Sequence, residues 1–234
     1  MMPTTMTNEQ GMLYVKDLIT MLFHCTYYGQ EIWKATHWQG VGVLQNPMDM
    51  WMKQEILYET RPDYIIETGT ALGGSAKFYT TVWPGKVITI DTRHELTPIG
   101  KQPKTTSAPF DAVGAGVLPR VEYVVGKSTE KKIVESVRKK VKGKRVMVIL
   151  DSDHSKENVL AEMNAYGPMV TRGCYMIVED TNIGGNPIQV SEYPGPGPMA
   201  AVMEYMAKHK DFAIDKSREK FLLTFYPNGW LKKL

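Results

Sequence analysis

The chain reads as an open α/β domain with a mostly parallel sheet and helices on both faces. From residue 63 onward, short apolar segments alternate with helix-like ones, the pattern of parallel strands joined by crossover helices. The strand candidates are nearly continuous in apolar residues, VMVIL at 146–150 above all, as a sheet covered on both sides requires. Only residues 216–220 separate the last two strand candidates, too short a link for a parallel crossover, so the sheet ends antiparallel.

Residues 9–29 carry Leu13, Leu18, Met21 and Leu22 at helical spacing, with Gly29 as a stop. Asn46-Pro47 sets an N-cap and a first-turn proline for a helix that ends before Pro62. Strands are expected at 63–67, 86–91, 121–126, 145–151 and 174–180, with helices at 74–83, 128–142 and 156–170 between them. A helix at 199–210 and two further strands, FAID and FLLTFY, close a sheet of seven. Residues 92–119 form an irregular insert, and 184–198 hold too many Pro and Gly for regular structure and suit a lid.

Residues 1–61 are expected to form a helical, aromatic cap on an α/β domain at 62–234, within one compact body. With 43% hydrophobic and 23% charged residues, the 234-residue chain is ordinary for a globular protein. A net charge of +3 gives no reason to expect nucleic acid or a membrane as partner. The basic run from Lys131 to Arg145 reads as a solvated helix face. Two cysteines cannot staple so long a chain, the N-terminus lacks signal-peptide character, and no apolar run approaches the ~18 residues of a span. A cytoplasmic protein is expected, and the apolar N-terminal helix could pack between subunits of a homo-oligomer.

In an open α/β sheet ligands bind at the carboxyl ends of the strands. Those ends read Glu67-Thr-Gly-Thr, Asp91, Gly126-Lys-Ser128, Asp151-Ser-Asp153-His154 and Glu179-Asp180, so acids converge on one crevice. The turn ETGTALGGS at 67–75, with Gly69, Gly73 and Gly74, lets backbone approach a ligand whose anionic group meets a helix N-terminus. Asp91, 22 residues beyond Gly69, suits a ribose diol in either a nicotinamide or an adenosyl ligand. Asp151, Glu179 and Asp180 form an all-oxygen set suited to Mg²⁺ or a similar cation, since clustered carboxylates repel unless neutralised. His154 is a candidate general base near neutral pH or, equally, an exposed first-turn histidine. Trp33, Trp38, Trp51, Tyr27 and Tyr28 could line a substrate pocket or belong to the core.

ETGTALGGS, LDSDH, VEDTNI, the ending LLTFYPNGWLKK and the lead-in W-x-G-V-x-x-x-x-N-P-x-D from Trp38 to Asp49 together resemble the cephalosporin hydroxylase family. Its members look like S-adenosylmethionine (SAM)-dependent O-methyltransferases. A more distant likeness is to the divalent-metal-dependent catechol and caffeoyl-CoA O-methyltransferases. The resemblance implies a Rossmann-like class I methyltransferase fold. It implies that Glu67, Gly69, Thr70, Gly73, Ser75, Asp91, Ser128 and Asp151 bind SAM. Asp151, Glu179 and Asp180 would hold a divalent cation. Asp180 stands where the distant relatives carry Asn, and His154 where they carry a catalytic lysine. The implied reaction moves the methyl of SAM to a hydroxyl of a small molecule, a sugar or a natural-product scaffold, with Asp151 and His154 catalytic. Two readings compete: an NAD(P)-dependent oxidoreductase, which leaves the metal acids idle, and a non-catalytic SAM-binding homologue. A non-haem iron oxygenase would have to use His209-Lys-Asp211, away from the strand ends.

Overall fold

The computed structural model describes residues 8–92, 118–188 and 194–234. Helix α1 (Asn8–Gly29) leads through the short antiparallel pair β1 (His37–Trp38) and β2 (Val41–Gly42) into α2 (Pro47–Thr60). Then follow β3 (Tyr64–Thr68), α3 (Gly74–Val82), β4 (Lys86–Asp91), β5 (Val121–Val125), α4 (Lys131–Lys140), β6 (Val146–Leu150), α5 (Lys156–Tyr166) and β7 (Tyr175–Val178). Helix α6 (Pro198–Lys208) and strands β8 (Phe212–Ile214) and β9 (Trp230–Lys233) complete the described elements.

Strands β3 to β9 form one seven-stranded sheet in the order β5-β4-β3-β6-β7-β9-β8. The first five are mutually parallel, whereas β9 runs antiparallel to both β7 and β8. Every residue of β6 and β7 is buried, which explains their unbroken apolar sequences. The helices pack around this sheet, and α5 lies against α6. Among the described residues no helix is long and apolar enough to cross a membrane.

Helix α2 places Met52, Ile56 and Leu57 in the same hydrophobic core as the strands, so residues 47–60 are built into the sheet domain. Asn46 caps it as expected, accepting from Met48 N at 3.1 Å. Helix α3 starts so close to the lead-in that a Cβ on Gly74 would lie 2.1 Å from Gly42 O. In contrast, α1 leaves Met12, Leu13 and Leu22 more than half exposed.

One strand differs from the sequence reading. The last strand is Trp230–Lys233, and FLLTFY (221–226) is irregular. Leu222 has φ 65°, a left-handed conformation that no strand contains. The apolar residues serve another purpose, because the Phe225 ring packs against Phe23, Tyr27 and Tyr28 of α1. Its amide donates to Asp49 Oδ2 at 2.8 Å, and Thr224 Oγ1 donates to Asp49 Oδ1 at 2.5 Å. Asn46 Nδ2 reaches Leu223 O at 2.5 Å. The lead-in and the C-terminal ending are therefore hydrogen-bonded halves of one structure. The middle of the insert (93–117) and residues 189–193 of the expected lid lie outside the described residues.

Candidate active site

The sheet grows outward from β3 through β4 to β5, then resumes on the other side of β3 with β6. Ligands of open α/β sheets bind at such a reversal, beyond the carboxyl ends of the strands. Gly69 and Asp151 follow directly on β3 and β6 and touch there. Asp151 N donates to Thr68 O at 3.0 Å, and a Cβ on Gly69 would fall 1.8 Å from Asp151 O. With φ at +87° as well, this position requires glycine on both counts. Across the turn, Asp91 Oδ2 accepts from the amides of Thr70 and Ala71, both at 3.1 Å.

A cavity of about 1030 Å³ opens over these strand ends, and Gly69, Asp91, Ser128, Asp151, His154 and Asp180 all line it. Glu67, Thr70, Gly73 and Ser75 lie off its wall and shape the turn from behind. Glu67 is completely buried, its Oε2 accepting from Thr89 Oγ1 at 2.7 Å, and burial pushes its carboxyl up to about 7. Thr70 Oγ1 meets the same Thr89 hydroxyl at 2.7 Å, and Gly73, with φ 77°, precedes α3. The Ser128 hydroxyl donates to buried Glu162, which also accepts from Ser152 Oγ at 2.6 Å.

In the same cavity, ligand atoms of Asp151, His154 and Asp180 all lie within 4.8 Å of one another. His154 Nε2 stands 3.1 Å from Asp180 Oδ2. Asp180 takes a left-handed conformation, φ 51°, uncommon for a non-glycine residue and here aiming its carboxylate at His154. Burial, then the neighbouring charges of Glu179 and Asp180, holds the Asp151 carboxyl well above the usual carboxylate range. Burial likewise raises Asp180, against the opposing pull of His154. A divalent cation would relieve both effects, and its oxygen ligands are present, so the residues fit such an ion.

Glu179 lies beside this group but not within it. Its Oε1 pairs with Lys53 Nζ at 2.5 Å, both side chains being 1% exposed. Its Oε2 accepts from Gln45 Nε2 at 2.5 Å and from the Tyr226 hydroxyl at 2.6 Å. The expected acid trio thus divides into Asp151 and Asp180 on the cavity wall and Glu179 behind it. No motif gave Gln45 or Lys53 a role, and Tyr226 fell within the ending LLTFYPNGWLKK without one. One signal did exist: Lys53 falls in helical register with buried Asp49, Ile56 and Thr60, and a lysine on a buried stripe calls for a partner.

Of the aromatic candidates, Tyr28 and Trp33 line the cavity. Tyr28 OH accepts from Asn182 Nδ2 at 3.1 Å, and burial raises its pKa. Tyr27 is buried, Trp38 packs edge-on against Phe78 at 4.9 Å, and Trp51 is 59% exposed. His209 stacks on Tyr205, and Asp211 pairs with Lys233, so this pair assembles no iron site.

The family model described as Rhamnosyl O-methyltransferase/CmcI matches residues 30–234. A rhamnosyl O-methyltransferase of Mycobacterium leprae is 37% identical over 233 residues, 94% of this chain and 93% of that protein. Its namesake from Mycobacterium bovis is 36% identical over 226 residues, 92% and 85% of the two chains. Among solved structures, CmcI in its apo form is 18% identical with a TM-score of 0.62, covering 86% of this chain and 77% of that one. The O-methyltransferase TomG from Streptomyces achromogenes, in complex with SAM, is 19% identical with a TM-score of 0.52, covering 71% and 70%. These structures share the fold, the class I methyltransferase sheet. The family match sets aside the oxidoreductase reading: the chain belongs to the Rhamnosyl O-methyltransferase/CmcI family, the cephalosporin hydroxylase family of the motifs, and is a SAM-dependent O-methyltransferase.

Proposed function

We propose that this enzyme methylates a hydroxyl of a sugar, with a divalent cation such as Mg²⁺ at the acid cluster. The observation that carries the reading is the convergence of Asp151, His154 and Asp180 within 4.8 Å in the cavity that Gly69 and Asp91 also line. Two mycobacterial relatives named rhamnosyl O-methyltransferase, matched over 93% and 85% of their length, support a sugar acceptor. Trp33 and Tyr28 add apolar ring surface suited to the C–H face of a pyranose.

Gly69 lets the SAM chain approach the backbone, Asp91 binds its ribose diol, and Ser128 borders the adenine side. Asp151 and Asp180 offer oxygens to the cation, and Glu179 supplies a third negative charge beside them. When bound, a divalent ion lowers the pKa of a hydroxyl placed against it. His154, oriented by Asp180, would take the acceptor proton, and the acceptor oxygen would form its bond to the methyl in line as the S–CH₃ bond of SAM breaks, leaving S-adenosylhomocysteine. Holding both reactants in one cavity removes much of the entropic barrier.

The test is methyl transfer from SAM to p-nitrophenyl α-L-rhamnopyranoside, followed by mass spectrometry with Mg²⁺ or EDTA. A methylated glycoside formed with Mg²⁺ and suppressed by EDTA is expected. Full transfer in EDTA would remove the metal from the reading, and a glycoside left unmethylated would remove the sugar.

A further inference from the structure

Behind the cavity wall lies a polar network in which every strong donor has a partner. The Lys53 ammonium has three N–H donors, and three acceptors surround it. Glu179 Oε1 lies at 2.5 Å, Gln45 Oε1 at 2.6 Å and the Tyr226 hydroxyl oxygen at 3.1 Å. The Gln45 amide is equally saturated. Its nitrogen donates to Asp151 Oδ2 at 2.9 Å and to Glu179 Oε2 at 2.5 Å. This fixes the orientation of the amide, because a flipped Gln45 would turn its oxygen toward two carboxylates and its nitrogen toward an ammonium. Gln45 is 4% exposed and Lys53 1%.

The charges of this region are informative. Asp151, Glu179 and Asp180 place three acids at neighbouring strand ends, and Lys53 is the buried cation among them. Three carboxylates and one ammonium leave a net charge of −2, which one divalent ion neutralises. Without Lys53 the excess would be −3. Without Gln45 the Asp151 and Glu179 carboxylates would have no shared donor to hold them side by side.

We propose that Gln45 and Lys53 are positioning residues of the cation site, Gln45 strapping Asp151 to Glu179 and Lys53 acting as fixed counter-charge. Neither touches substrate or SAM; both act through the acids. This inference rests on the reading of the acid cluster as a divalent-cation site. It assigns a role to the lead-in segment and α2, which supply Gln45 and Lys53 from outside the strand ends.

The test is Mn²⁺ binding by electron paramagnetic resonance on the full chain, with S-adenosylhomocysteine affinity measured separately by calorimetry. Gln45→Met keeps the side-chain length and deletes both amide functions, while Glu179 retains Lys53 and Tyr226. Mn²⁺ affinity should fall about 10–100-fold, the usual effect of losing a hydrogen-bond partner of a metal ligand. S-adenosylhomocysteine affinity should stay within a few-fold of the parent. Lys53→Met removes a positive charge, which by itself would tighten cation binding, together with the anchor of Glu179, so Mn²⁺ affinity at or below the parent's is expected, and a clear gain in affinity would overturn the positioning role of Lys53. Mn²⁺ affinity in Gln45→Met within about threefold of the parent overturns the proposal, and so does an equal loss of both ligands, which marks a merely structural role. A parent that binds S-adenosylhomocysteine but no Mn²⁺ overturns the cation reading itself.

Discussion

His154 owes its position to chain geometry. Strand β6 ends at Leu150, and α5 begins at Lys156 behind its N-cap Ser155, so the intervening turn must carry His154 over the sheet edge. Asp180 meets it from the neighbouring strand end at 3.1 Å, which fixes the ring. As general base it should be worth about 10²–10⁴ in rate. His154→Ala should lose that factor in turnover while binding S-adenosylhomocysteine as before. Turnover close to the parent's would take the role of base away from this residue. Asp151, His154 and Asp180 were legible in the sequence because strand ends face one crevice whatever the details of packing. The inward turn of Glu179 was not, since it depends on Lys53, which lies 126 residues away in sequence.

At the scale of elements, the lead-in and the C-terminal loop 221–228 form one clamp. Asp49 opens α2 in its first turn, and its two oxygens hold Thr224 Oγ1 and Phe225 N. Asp49 is 2% exposed, so the contact is made inside the protein, and burial pushes its carboxyl up to about 7 despite these donors. Asp49→Ala would leave the buried Phe225 amide unpaired, at about 1–3 kcal/mol. Stability should fall by that amount, and amide exchange should accelerate at 223–226. Unchanged protection at those amides would show that packing of Phe225 against α1 holds the loop without Asp49. The same clamp explains the misread strand. FLLTFY has the composition of a strand, but its aromatic residue serves the cluster with Phe23, Tyr27 and Tyr28, a contact no local pattern encodes. Strands β3, β4, β6 and β7 were legible because their apolar runs answer to a local demand, burial on both faces.

The whole molecule converges on one crevice from sequence-distant parts: β3 and β4 on one side, β6 and β7 on the other, and the lead-in across the back. A ligand bound there contacts elements that unfolding would separate, so its binding free energy adds to the stability of the entire chain. S-adenosylhomocysteine at 100 times its Kd should contribute about 2.7 kcal/mol. For a chain of this size that corresponds to a rise in Tm of roughly 5–11 °C. Because the acids facing the cavity are held high by burial and by one another, Mg²⁺ should raise Tm further and EDTA should reverse that increment. NAD⁺ and NADP⁺ should leave Tm unchanged, since Asp91 alone answers to their ribose. A Tm that ignores S-adenosylhomocysteine but rises with a nicotinamide nucleotide would overturn the assignment of the cavity. A rise with S-adenosylhomocysteine that Mg²⁺ does not enlarge would leave Asp151 and Asp180 without their cation, and methyl transfer to His154 and its carboxylate neighbour.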